Sequence, residues 1–281
     1  MSRSIEAILE FYVAAGVDLP VDDVPRDRFA DLRNERDAKA ERDRAQAAAV
    51  LERVQASGRS EPSRSAPAIA RPPADPISAD EAVMSARQAA ASAQTLDELR
   101  DILSRFEGCG LRKTAKSLVF SDGDPKARLM LVGEAPGRDE DIAGKPFVGR
   151  SGQLLDRMLK AIGYARSDIY VANTVPWRPP GNRTPSPQEA EICRPFIERQ
   201  IALADPDVLV LLGNAPAQQL LRKREGITRL RGVWRSYETD RRTIPVMATW
   251  HPAYLLRQTA QKRNAWRDFL EIKAKLSASA A

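Results

Sequence analysis

Four short apolar runs constrain the fold of this chain more than any other feature. They are Arg128–Gly133 (RLMLVG), Ile169–Asn173 (IYVAN), Asp207–Gly213 (DVLVLLG) and Ile244–Thr249 (IPVMAT). None alternates apolar with polar residues, so each strand is covered on both faces, as in a parallel sheet between helices. Helical patterns at about 151–163, 187–204 and 214–222 separate the runs. Ser78 and Thr95, each followed by acidic residues and an apolar periodicity, predict helix starts for 79–93 and 96–106. The expected fold is a three-layer α/β/α domain with a central four-stranded, mostly parallel sheet. Ligands of such sheets bind beyond the carboxyl ends of the strands.

Ahead of this region the composition changes. Residues 5–17 read as a short amphipathic helix, and 27–56 are rich in Arg, Asp, Glu and Ala with few core residues. The stretch 57–77 is dense in Pro, Ser and charge, the composition of a disordered linker. The expected division is a helical N-terminal extension over 1–56, a linker over 57–77 and a catalytic domain over 78–281. Hydrophobic residues make up 43% of the chain, enough for a core. No run approaches the roughly 18 apolar residues of a membrane span. Glu6 and Glu10 interrupt the first apolar stretch, which excludes a signal peptide. Two cysteines, Cys109 and Cys193, make no disulfide framework and point to the cytoplasm.

Charge is unevenly spread. Residues 1–108 carry 15 Lys and Arg against 20 Asp and Glu, a net of −5; residues 109–281 carry 29 against 18, a net of +11. A basic C-terminal part fits a surface that meets phosphates, and equally a solvated basic surface.

The unusual residues follow the strand ends. The first strand runs into Gly133-Glu134-Ala135-Pro136-Gly137, a tight turn, and on into Arg138-Asp139-Glu140-Asp141. Pro146 after Gly144-Lys145 excludes a Walker loop, GxGxxG is absent, and the acidic turn would repel a free phosphate. Phe147, in a Gly/Pro-punctuated loop, is either a core ring or a stacking surface for a base. Asn173 ends the second strand as a turn residue or as a donor–acceptor pair for the edge of a pyrimidine. A stiff basic loop, Pro176–Arg183, follows it. His251, the chain's one histidine, lies just past the fourth strand between Trp250 and Pro252, a place that favours chemistry over packing.

The ordered motifs GEAPGRDED, GKPFVGRSGQLL, AN–V–RPPGNR, CRPF and HPAYLLR resemble family 4 uracil-DNA glycosylases over roughly residues 106–272. The resemblance implies a DNA-repair hydrolase that flips uracil out of DNA, breaks its N-glycosidic bond and leaves an abasic site. It implies a pocket in which Glu134, Ala135 and Pro136 line the wall, Phe147 stacks on uracil and Asn173 bonds its polar edge. His251 would donate to the departing base. Leu255 and Leu256 would wedge into the duplex, and Arg178, Arg183, Arg229, Arg231 and Arg257 would hold phosphates. Ala135 stands where the best-known uracil glycosylases have an Asp, so water activation falls to Glu134 or Glu140. The resemblance also implies a [4Fe–4S] cluster on four cysteines, of which Cys109 and Cys193 remain, Phe106 and Trp177 standing at the other two positions. The expectation is therefore a protein without cluster, metal or other cofactor. It would act on uracil-containing DNA as a monomer without membrane attachment. The rival readings are a non-catalytic uracil or lesion sensor, a glycosylase of broader range, and a plain nucleic-acid-binding α/β domain.

Overall fold

The computed structural model of the protein describes residues 78–278. The helix expected over 5–17, the charged stretch 27–56 and the linker 57–77 lie outside the described residues. Helices α1 (Ala79–Ser92) and α2 (Leu96–Arg105) come first, each starting where its cap predicts. Ser78 and Glu81 form a reciprocal capping box, and Thr95 accepts the Glu98 N–H at 3.1 Å. A short turn, α3 (Leu111–Thr114), leads to β1 (Asp122–Gly123) and β2 (Leu129–Gly133). Next come α4 (Arg138–Ala143), α5 (Arg150–Ala161) and β3 (Ile169–Asn173). After them the chain forms α6 (Pro187–Ala204), β4 (Val208–Leu212), α7 (Asn214–Leu221), α8 (Ile227–Leu230), β5 (Trp234–Glu238) and β6 (Thr243–Thr249). Helices α9 (Pro252–Arg257) and α10 (Lys262–Ala278) close the described chain.

The sheet runs in the order β1-β3-β2-β4-β6-β5. Strands β3, β2, β4 and β6 are parallel and coincide with the four apolar runs, with Leu129 beside both Ile169 and Val208. Every residue of β2, β3 and β4 is buried. Successive side chains feed opposite layers. Met130, Val132, Leu209 and Leu211 meet Ile197 and Ile201 of α6 and Ala217 and Leu220 of α7. Leu129, Leu131, Val208 and Val210 meet Leu155 and Leu159 of α5 and Phe269, Ile272 and Leu276 of α10.

The expected four-stranded sheet has six strands, because an antiparallel strand closes each edge. β1 is two residues of Asp and Gly without an apolar signal, and β5 is only partly covered. Neither shows the continuous burial by which the central strands are legible. Among the described residues no helix is long and apolar enough to cross a membrane.

Candidate active site

Beyond the carboxyl ends of β2, β3 and β6 lies a cavity of about 370 Å³, within the range usual for ligand pockets. Glu134, Pro136, Phe147, Asn173 and His251 all line it. The turn after β2 is tied to the continuation of β3. Thr174 N–H donates to Gly133 O at 2.9 Å, and Val175 N–H and the Thr174 hydroxyl both donate to Glu134 O, at 3.0 and 2.9 Å. These bonds leave the Glu134 side chain half-buried at the wall with no hydrogen bond among the described residues. Burial holds its carboxyl above the usual range.

The other candidate acid is differently engaged. Glu140 Oε1 accepts the N–H groups of Val148 (3.1 Å) and Gly149 (3.0 Å), and Oε2 accepts that of Gly137 (3.1 Å). Its carboxylate clamps the 133–137 turn to the Phe147 loop, so both oxygens are already occupied.

Phe147 sits with φ +56°, a left-handed conformation that is rare and costly for a non-glycine residue. Two neighbours hold it there. Arg166 Nη2, itself paired with Asp156 at 2.7 Å, donates to Phe147 O at 2.9 Å. Gly152 on α5 lets the helix pass so close that a β-carbon would lie 1.7 Å from that carbonyl oxygen. The ring then lies over Gly133, where a β-carbon would meet Phe147 Cζ and Asn173 Oδ1 at 2.5 Å each. Gly133 is therefore what allows ring and amide to converge at one strand end. The Asn173 amide is 5% exposed and makes no hydrogen bond among the described residues, leaving its donor and acceptor for a ligand.

His251 caps α9. Its Nδ1 accepts the Ala253 N–H at 3.1 Å, so the neutral ring carries its proton on Nε2. Burial, with the nearby positive charge of Arg257 adding to it, pushes the imidazole down to about 4. The ring stacks on Phe147 with centroids 5.6 Å apart and a 29° interplanar angle. His251 thus brings a neutral N–H donor to a wall that also holds an aromatic plate, a free amide and a protonatable carboxyl.

The residues expected to touch DNA are redistributed. Leu255 is fully buried, packed with Trp250 and Ala265, and has no path to a duplex; Leu256 is 37% exposed beside the cavity mouth. The expectation of a two-leucine wedge is corrected to one, because the segment is a helix that turns adjacent residues to opposite sides. Arg231 is half-buried and paired: its Nε and Nη2 engage Asp268, and Nη2 also donates to Asn264 O at 2.9 Å. That pairing commits Nε and Nη2 of Arg231 to Asp268 and Asn264, away from the phosphate contact expected of it. Arg183 forms a fork with Glu189 at 2.8 and 2.6 Å, and Arg178 donates to Asn182 at 2.6 Å. Arg257 lines the cavity; Arg229 is exposed on α8, outside it. Ser151 and Tyr254 also line the cavity and escaped the sequence reading, since neither has a signal beyond proximity to a motif.

A four-cysteine cluster does not fit this chain. Cys109 and Cys193 lie with sulfurs 3.9 Å apart, fully buried in one apolar cluster with Phe106, Trp177 and Phe196. Phe106 packs edge-on against Phe196 at 4.9 Å and covers Gly108, while Trp177 is 2% exposed. Phe106 and Trp177, which the resemblance puts at the other two cysteine positions, cannot ligate iron. The contact between the two sulfurs pulls the Cys109 thiol down and, with burial, pushes the Cys193 thiol up.

A parallel sheet with a cavity at its carboxyl edge, lined by an aromatic plate, a free amide and a neutral histidine, is the architecture of an α/β enzyme with its site beyond the strand ends. The family model of the uracil DNA glycosylase superfamily matches residues 120–270. The type-4 uracil-DNA glycosylase of Archaeoglobus fulgidus is 39% identical over 186 residues, 64% of this chain and 92% of that protein. Those of Saccharolobus solfataricus (37%; 65% of this chain and 87% of that protein) and Thermotoga maritima (38%; 60% and 88%) are similar. The chain belongs to the uracil DNA glycosylase superfamily, and the relatives named here are its type-4 members.

Proposed function

We propose that this protein hydrolyses the N-glycosidic bond of uracil in DNA, as a base-excision repair enzyme. The observation that carries the reading is the neutral His251, its Nδ1 held by Ala253 and its Nε2–H free to meet the leaving base. Uracil flipped into the cavity stacks on Phe147 and meets the Asn173 amide along its polar edge. As the bond from sugar C1′ to uracil N1 breaks, its electron pair passes to the base and positive charge develops on the sugar. The His251 N–H bonds the base oxygen on which negative charge accumulates, an interaction stronger in the transition state than in the ground state. Glu134, free of hydrogen bonds, orients a water toward C1′ and takes its proton as the C1′–O bond forms. Glu140 holds the loops in register. Ala135, standing where the best-known uracil glycosylases have an Asp, leaves Glu134 this task.

The paired thiols and the two rings support a protein that works without an iron–sulfur cluster or other cofactor. The catalytic module begins at about residue 78, since α1 and α2 share the Phe106–Trp177 apolar cluster. A chain starting at Ile77 is expected to fold and retain glycosylase activity. We place the protein in the cytoplasm as a monomer. Incubation with uracil-containing DNA, without added metal or nucleotide, followed by alkali, should cut the strand at abasic sites. No cleavage at enzyme excess would refute the reading and favour a uracil sensor.

A further inference from the structure

Cys109 and Cys193 are the chain's two cysteines, 84 positions apart in sequence and side by side in the fold. Neither lines the cavity, and among the described residues no third His, Cys, Asp or Glu joins them in a metal-binding group. Phe106, Leu111, Trp177 and Phe196 share their apolar cluster. Two thiols that face each other with no further ligand have one joint reaction open to them, oxidation to a disulfide.

The geometry is close to that product. The sulfurs are 3.9 Å apart, so about 2 Å of movement brings them to bonding distance. Cys193 is fixed inside α6, where Ile192, Phe196 and Ile197 are buried with it. Cys109 has more freedom, because it lies between Gly108 and Gly110 in the loop from α2 to α3. A β-carbon at Gly110 would meet nothing within 4 Å. The loop is also at the surface although its thiol points inward: Glu107 and Gly110 are exposed and Gly108 is half-buried. A small oxidant reaches Cys109 by local opening of this loop, with the sheet intact. The two sulfurs are unequal as well. Cys193 donates its S–H to Cys109 Sγ, and that bond, helped by the N–H groups of Leu111 and Arg112, lowers the Cys109 thiol against its burial. Cys109 is thus the attacking sulfur and Cys193 the resolving one.

We infer that Cys109 and Cys193 form a peroxide-driven disulfide site, which closes into a reversible staple between the α2–α3 loop and α6. The Cys109 thiolate attacks one oxygen of hydrogen peroxide and the O–O bond breaks. The leaving hydroxide takes up the proton that Cys109 gave up, and a sulfenic acid remains on Cys109. Cys193 Sγ then attacks that sulfur. The Sγ–Sγ bond forms, the S–O bond breaks, and the hydroxide leaves as water with the Cys193 proton. Two thiols lose two electrons, and one peroxide is reduced to two waters. The new bond closes a long loop, which restrains the unfolded chain and stabilises the fold. It forms outside the cavity, so the inference stands independently of the excision reading.

The test treats the reduced full chain with a modest excess of hydrogen peroxide and titrates thiols after denaturation. The count should fall from two to none, because the chain has no other cysteine. The protein should keep its monomer mobility on a non-reducing gel, and peptide mapping should find Cys109 joined to Cys193. Dithiothreitol should restore both thiols. A cross-link closing a loop of this length should raise Tm by about 10 °C, and reduction should reverse the shift. Cys193→Ser should stop at the sulfenic acid, trapped by dimedone on Cys109, whereas the thiol left in Cys109→Ser should react more slowly. Two thiols surviving in the treated protein, or thiols lost only as sulfinic acid or as cross-links between chains, would overturn the site. An unchanged Tm after closure would overturn the staple, and faster trapping at Cys193 than at Cys109 would reverse the roles of the two sulfurs.

Discussion

Arg231→Met isolates a buried ionic network beneath the candidate catalytic histidine. Asp268 is 2% exposed; its Oδ2 accepts the Thr249 hydroxyl at 2.5 Å, and Arg231 engages both of its oxygens. Thr249 ends β6, two residues before His251, and its carbonyl accepts the Gly213 N–H at 2.9 Å. Removing one partner of a buried pair costs about 3–5 kcal/mol, because the other charge is left without compensation. The variant has one escape, protonation of Asp268. Burial already holds that carboxyl above its ordinary value despite Arg231 and Thr249, and loss of the cation raises it further. A carboxyl whose folded pKa is raised stabilises the fold only in its protonated form. Relative to wild type the ionisation deficit is therefore absent below the folded value of wild-type Asp268, and grows by about 1.4 kcal/mol per pH unit above it until the variant's own folded pKa is passed. Urea denaturation at pH 5 and pH 8 should show a loss of several kcal/mol at pH 8 and a clearly smaller one at pH 5. Asp268→Asn, which can still accept from Thr249, should lose less and show no such slope. A variant within about 1 kcal/mol of wild type at pH 8, or a loss independent of pH, would refute the reasoning and return Arg231 to the surface as a phosphate contact.

His251→Ala should slow single-turnover uracil release by roughly two to three orders of magnitude with little change in DNA affinity, and an equal rate would remove the residue from the site. Because His251 titrates at about 4, the wild-type rate should show no step near 6.5. Its acid limb should report Glu134, whose raised carboxyl must be ionised, and should disappear in Glu134→Gln. Gly152→Ala should unseat Phe147 and abolish activity, either with or without loss of fold; a fully active variant would show that the 1.7 Å approach is not needed. Cys109→Ala and Cys193→Ser should keep most of the activity, and iron analysis of anaerobically purified protein should find none, whereas stoichiometric iron would sink the cluster-free reading.

What the sequence made legible was whatever depends on burial or on local spacing. The four central strands are apolar on both faces, and the capped helices announce themselves within three residues, so both could be read directly. The edge strands could not, since a two-residue ladder and a half-exposed ribbon have no pattern of their own. Leu255 and Leu256 are equivalent as letters and are separated only by the phase of a six-residue helix. Arg231 looked like Arg229 because its partner lies 37 positions away on α10. Glu134 and Glu140 were distinguishable only once the backbone donors of a neighbouring loop were in place around one of them.

The site draws on Glu134, Phe147, Asn173 and His251, segments spread over more than a hundred residues and brought to one edge by the sheet. Parallel neighbours cannot pair until the crossover between them has closed, so every parallel strand contact here is distant in the chain. A fragment without β6 lacks His251, and a collapsed intermediate with its helices formed but its sheet incomplete would still be blind to uracil. Regain of activity during refolding should therefore follow the slowest step of sheet assembly rather than the appearance of helix, which makes catalysis a stringent reporter of the completed topology.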